Sequence, residues 1–112
     1  MPSPARIRST IATITDPPAD LRALVVMHKV LADPTRLRIL QRLSRGDGTV
    51  GDLQRHVDLS QPLVSWHLRS LRAVGLVRTR RVGREVICSL EAEALQRFHE
   101  QERELLGMGR SS

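Results

Sequence analysis

The stretch Leu59-Ser60-Gln61-Pro62-Leu63-Val64-Ser65-Trp66-His67-Leu68-Arg69-Ser70-Leu71 mixes hydrogen-bonding side chains with a helical apolar repeat. At about 100° per residue, Val64, His67, Leu68 and Leu71 share one side of a helix. Gln61, Pro62, Ser65, Trp66 and Arg69 share the other. The first side suits a core. The second carries groups that can read base edges in a major groove. Gln bonds adenine bidentately, Arg does the same to guanine, and Ser bonds a base or a phosphate. Trp66 offers an apolar edge to a thymine methyl or sugar, or packs on a neighbouring element. Ser60 stands where an N-cap is needed, and a helix N-terminus favours phosphate.

Downstream the positive charge accumulates. Arg69, Arg72, Arg78, Arg80, Arg81 and Arg84 fall between Ser60 and Arg84, with no acidic residue among them. Arg80, Arg81 and Arg84 flank Gly83, as expected for a charged hairpin touching phosphate or inserting into a minor groove. Such charges also protect a strand edge from aggregation. Ser60, Gln61, Pro62, Ser65, Trp66, Arg69, Arg80, Arg81 and Arg84 are therefore the expected DNA-binding set.

Catalysis finds no support. His28, His56, His67 and His99 lie on different elements, and neither a nucleophile–base pair nor a metal constellation is evident. His67 reads as a structural histidine bonded to backbone, and His28 as a core histidine. The single cysteine, Cys88, excludes an intrachain disulfide and a multi-cysteine zinc site. It is expected to be buried as a small hydrophobe.

The elements that must position these residues follow from periodicity and punctuation. A first helix spans about Ala19 to Leu31, with Leu21, Leu24, Val25, His28 and Leu31 or Ala32 inward. Asp33-Pro34 opens a second helix that buries Leu37, Leu40 and Leu43 and stops at Gly46-Asp47-Gly48. Thr49 caps a third, with Asp52 completing a capping box, and Leu53 and Val57 inward. Asp58-Leu59 forms a turn, Ser60 caps the fourth helix, and Gly75 ends it. Two strands follow, about Leu76–Arg81 and Glu85–Leu90, and a final helix runs from about Glu91 to Leu106. Its stripe is Leu95, Phe98, Glu102 and Leu105. The fold class is mainly α with a small β-hairpin wing, in the order α-α-α-α-β-β-α.

At 112 residues the chain is one domain with a small core, and its net charge of +6 suits a polyanionic partner. Of 18 basic residues only Lys29 is lysine. Arginine forks onto phosphate and guanine better than lysine does. Residues 1–18 hold four of the six prolines and read as a flexible arm, with Ile7, Ile11 and Ile14 at helical spacing. Residues 19–107 form the folded domain, and 108–112 a flexible tail. The longest apolar run, Ala23 to Met27, is too short to span a membrane, and no signal-peptide core is visible. A cytoplasmic protein is expected.

The chain resembles the ArsR/SmtB-type winged-helix repressors. The resemblance rests on Leu31-Ala32-Asp33-Pro34-Thr35-Arg36-Leu37-Arg38-Ile39-Leu40, Leu59-Ser60-Gln61-Pro62 with Val64-Ser65 and His67-Leu68, then Leu71-Arg72, Gly75-Leu76-Val77 and Gly83-Arg84-Glu85-Val86. It covers about Leu21 to Leu106. It implies a winged helix-turn-helix and a homodimer built from the first and last helices. It also implies a transcriptional repressor that leaves its operator on a signal.

No sensor site carries over. Thr49-Val50-Gly51-Asp52-Leu53 holds no Cys-x-Cys. Glu91-x-Glu93 and His99-x-x-Glu102 only partly match the family's terminal-helix metal pattern, because the gap between the pairs is short and the first histidine is absent. His99 and Glu102 are the metal candidates, which His28 of the first helix could join across a dimer, and no cofactor is expected. The leading expectation is a homodimeric, sequence-specific repressor on a palindromic operator. The alternatives are a metal-responsive repressor and a nonspecific nucleic-acid-binding protein.

Overall fold

The computed structural model describes residues 19–108. Its elements are α1 (Ala19–Leu31), α2 (Pro34–Leu43), β1 (Gly48–Thr49), α3 (Val50–Val57), α4 (Gln61–Ala73), β2 (Val77–Val82), β3 (Glu85–Leu90) and α5 (Ala92–Leu105). The expected arm, with Ile7, Ile11 and Ile14, lies outside the described residues, as does the tail beyond Met108.

Local chemistry explains most boundaries. Asp33 accepts from the Arg36 N–H at 3.1 Å, and Pro34 follows at the first helical position of α2. At α3 the capping box is reciprocal. The Asp52 N–H donates to Thr49 Oγ1 at 2.9 Å, and the Thr49 N–H donates to Asp52 Oδ2 at 2.8 Å. Asp58 then turns the chain with φ 55°, the one positive φ outside glycine among the described residues. Ser60 sits at the N-cap of α4, but its hydroxyl makes no capping bond. Gly75, at φ 77°, ends α4. The Leu76 N–H reaches the Leu71 carbonyl and the Gly75 N–H reaches that of Arg72, both at 3.0 Å. This Schellman arrangement also carries Leu76 into the core beside α4.

The core lies beneath α4. Val64, Leu68 and Leu71 meet Ile39, Leu40 and Leu43 of α2, Leu53 and Val57 of α3, and Leu76, Val77 and Cys88 of the sheet. Burying one such side chain contributes roughly 1.5–3 kcal/mol. Leu24 and Phe98 are buried where α1 meets α5.

Three features differ from the sequence expectation. First, β1 pairs antiparallel with β3, Gly48 opposite Cys88 and Thr49 opposite Ile87. The sheet order is therefore β1-β3-β2, and β3 is central. A two-residue strand beside glycine carries no periodicity to detect. Second, α1 buries Leu24 and Val30, while Val25, Val26 and His28 are exposed. Third, Leu37 is exposed and Ile39 takes the inward place on α2. Both helices are apolar on more than one side, so a 3.6-residue repeat alone does not choose the buried face.

The Thr49 backbone N–H and hydroxyl bonds, aided by Arg55, hold the Asp52 carboxyl below its ordinary value. That charge therefore stabilises the fold above the unfolded value of about 3.9 and ceases to do so as pH falls through the lower folded value. Asp52→Asn should lower the melting temperature at neutral pH, and the difference from wild type should close in acid. A gap that persists undiminished there would rule out the carboxylate as its source.

Candidate nucleic-acid interface

The core contacts of α4 leave its opposite face outward. Ser60, Gln61, Pro62, Trp66 and Arg69 are exposed, and Ser65 is half-buried. The Gln61 Nε2 donates to Ser65 Oγ at 3.0 Å, so these two groups are already oriented together one turn apart. Leu63 is exposed as well, one turn before Trp66. The sequence reading omitted it because the residue type suggests a core. Its position between the buried and polar faces was the available signal.

Trp66 is 51% exposed although it is the largest side chain in the protein. Its ring meets His67 edge-on at 5.0 Å. The Arg36 guanidinium from α2 lies 5.4 Å from the indole centroid, within cation–π range. His67 is buried, and its Nδ1 accepts from Arg36 Nε at 3.3 Å. The expected backbone partner of His67 is thus replaced by a side chain from another helix.

The wing places its arginines in two groups. Val82 pairs with Glu85, leaving Gly83-Arg84 as a two-residue turn. Gly83 has φ 61° while Arg84 stays in the negative-φ region, the pattern of a type II′ hairpin. Arg81 and Arg84 are exposed and have no partner among the described residues. With Gln61, Arg55 and Thr49 they line a groove of about 410 Å³ between the wing and the starts of α3 and α4.

Arg80 and Arg78 are engaged within the protein. Arg80 Nη1 reaches Asp47 Oδ2 at 3.2 Å and Ser89 Oγ at 3.5 Å. Arg78 Nη1 reaches Glu91 Oε1 at 3.0 Å. The Ser89 hydroxyl, then Arg80, holds the Asp47 carboxyl below its ordinary value. Arg80 therefore differs from Arg81 and Arg84, with which the sequence grouped it. A second groove of about 700 Å³ runs between α4 and β2, lined by Arg69, Arg72, Arg78 and Thr79.

The metal candidates are arranged differently from the sequence pairing. Glu102 bonds through Oε2 to His28 Nε2 across the α1–α5 contact, and His28 also packs edge-on against Phe98. His99 is exposed and tilted against Phe98 at 5.3 Å. Among the described residues, no group of three or more His, Cys, Asp or Glu side chains could hold a metal ion. Cys88 is fully buried in the central strand. Burial pushes its thiol up, with Arg72 opposing and Asp47 reinforcing the shift. No described helix is long and apolar enough to cross a membrane.

Two short helices joined by the Asp58 turn, with an outward polar face on the second and an arginine-tipped hairpin beside it, define a winged helix-turn-helix DNA-binding protein. The model of the bacterial regulatory protein, arsR family, matches residues 33–79. The transcriptional repressor SdpR of Bacillus subtilis (strain 168) is 38% identical over 70 residues, covering 62% of this chain and 78% of that protein. The arsenical resistance operon repressor of Staphylococcus xylosus is 42% identical over 74 residues, covering 66% and 71%. An ArsR-like transcriptional regulator from Rhodococcus sp. RHA1 superposes with a TM-score of 0.69 at 30% identity, covering 79% and 82%. The chain belongs to the ArsR family. It is a DNA-binding transcriptional repressor and not an enzyme.

Because the Cys88 thiolate is disfavoured and buried, alkylation by iodoacetamide in native buffer should be far slower than in denaturant. Equal rates in the two conditions would contradict the burial of Cys88.

Proposed function

We propose that the protein represses transcription as a homodimer. Its two α4 helices enter successive major grooves of a palindromic operator, with centres about 34 Å apart. The observation that carries this reading is the outward face of α4, where Gln61, Ser65, Trp66 and Arg69 stand clear of the core. Gln61 with Ser65 and Arg69 supply base-edge donors and acceptors, Pro62 and Trp66 supply apolar contact, and Ser60 opens the helix towards phosphate. Arg81 and Arg84 extend the contact onto the backbone. Arg80 differs in that its Nη1 is already engaged by Asp47.

The dimer is inferred from apolar surface on the terminal helices. Val25 and Val26 of α1, and Leu105, Leu106 and Met108 at the end of α5, are exposed. A second copy that covers them removes that surface from water. Residues 19–107 act as the working unit, with 1–18 and 108–112 flanking it. The site of action is the cytoplasm, where the operator lies, and an effector of unassigned chemistry releases the complex. A metal-responsive version lacks support, because no group of three or more His, Cys, Asp or Glu side chains among the described residues could hold a metal ion.

Two measurements test the reading. Arg69→Ala should cost roughly 1–3 kcal/mol of operator affinity and relax preference at one base position, whereas Arg81→Ala or Arg84→Ala should weaken all DNA similarly and flatten the salt slope by about one. Anisotropy on promoter and scrambled duplexes distinguishes these outcomes, and equal affinity for both duplexes in wild type would favour a nonspecific binder. In light scattering, Val26→Glu should convert a dimer to monomers. A wild-type monomer at micromolar concentration would refute the assembly.

A further inference from the structure

We infer that Arg36 is a positioning residue for DNA reading, bracing Trp66 of α4 against the end of α1. The inference rests on the proposal that the outward face of α4 contacts the operator.

Arg36 makes three engagements with one guanidinium. Its Nε donates to His67 Nδ1 at 3.3 Å, its Nη1 donates to the Val30 carbonyl at 3.4 Å, and its Cζ lies over the Trp66 ring, 5.4 Å from the centroid. Its backbone is held as well, because its N–H bonds the Asp33 carboxylate. None of the three partners of the guanidinium is a carboxylate. Each is an acceptor or a π face, and each belongs to an element other than α2. The charge therefore joins α1, α2 and α4 without an ion pair.

The arrangement suits an arginine and no other residue. Only a planar fork can bond an imidazole nitrogen and a carbonyl while stacking on an indole. The same bond turns the Nδ1 edge of the His67 ring towards α2. Trp66 and His67 are adjacent in sequence and point to opposite fates, one exposed and one buried. Arg36 contacts both, so the indole direction is tied to a histidine locked in the core. An unbraced, half-exposed indole would have to be ordered on binding, and immobilising such a side chain lowers affinity by a factor of about two to ten.

The test uses the full chain and four variants, Arg36→Gln, Arg36→Lys, Trp66→Ala and the Arg36→Gln/Trp66→Ala double variant. Affinity for promoter and scrambled duplexes is measured across a salt series, together with melting temperature and acrylamide quenching of Trp66, the only tryptophan. Arg36→Gln should bind promoter DNA about two- to tenfold more weakly. Its scrambled-DNA affinity and salt slope should stay close to wild type, while its melting temperature falls because the buried His67 Nδ1 loses its donor. Arg36→Lys should not restore binding, because an ammonium cannot hold all three partners. Quenching of Trp66 should rise in both. In the Trp66→Ala background the effect of Arg36→Gln should vanish.

Other outcomes overturn the proposal in identifiable ways. Equal weakening on both duplexes with a salt slope smaller by about one would make Arg36 a phosphate contact. Equal weakening on both duplexes with the salt slope unchanged would make it a structural residue. Full additivity with Trp66→Ala would show that it does not act through the indole. If Trp66→Ala and Arg69→Ala both leave promoter discrimination intact, the reading face of α4 falls, and the proposal with it. If those variants lose discrimination and Arg36→Gln does not, the brace alone is wrong.

Discussion

Everything in this protein depends on α4 being fixed from one side only. Val64 and Leu71 are fully buried, and Leu68 and His67 nearly so, while the opposite face turns its polar and apolar groups outward. A thirteen-residue helix with so few caps would not hold its shape alone in water. Its stability comes from the apolar stripe packed on α2, α3 and the sheet. The same packing sets the rotation of the helix about its axis, and that rotation decides which side chains meet DNA. Recognition is therefore a consequence of core packing, transmitted through a period of 3.6 residues.

Electrostatics divides the labour further. Three carboxylates near the sheet and α3, namely Asp47, Asp52 and Glu91, each hold an arginine. Arg78 and Arg80 are anchored by Glu91 and Asp47, which tie the wing to the body. Arg69, Arg72, Arg81 and Arg84 have no acidic partner among the described residues. Surface ion pairs stabilise a fold only slightly. Here their larger effect is geometric, because they separate arginines that shape the wing from those free to meet phosphate. Composition shows the excess of arginine but not this division.

Much of the fold was legible from the chain. Asp33-Pro34, Thr49 with Asp52, and Gly75 each mark a boundary through a bond or a backbone angle that residue type requires, and the structure has all three. The resemblance in Leu31–Leu40 and Leu59–Leu71 added the architecture. Legibility failed where the deciding partner is distant in sequence. His28 was read as a core residue, but Glu102 and Phe98 hold it at the surface. Arg80 was grouped with its neighbours, but Asp47 lies 33 residues away. The partner of His67 is 31 residues upstream. Periodicity reports which face of one helix is apolar and carries no information on which side chain from another helix will reach it.

Those long-range bonds also place α1 in an unusual position. Through Leu24 it meets α5, where Phe98 is buried, and through Val30 it joins the core above α2. Two of its other apolar residues, Val25 and Val26, face outward towards the proposed partner copy. At its end, the Val30 carbonyl accepts from Arg36, whose guanidinium covers Trp66. One residue, Arg36, therefore separates the helix proposed to join two copies from the side chain proposed to meet DNA. Any effector that moves α1 relative to α2 must stretch the Arg36–Val30 contact or carry Arg36 with it. Only the second case moves the guanidinium off the indole, because a stretched Val30 contact leaves Arg36 on α2 beside Trp66.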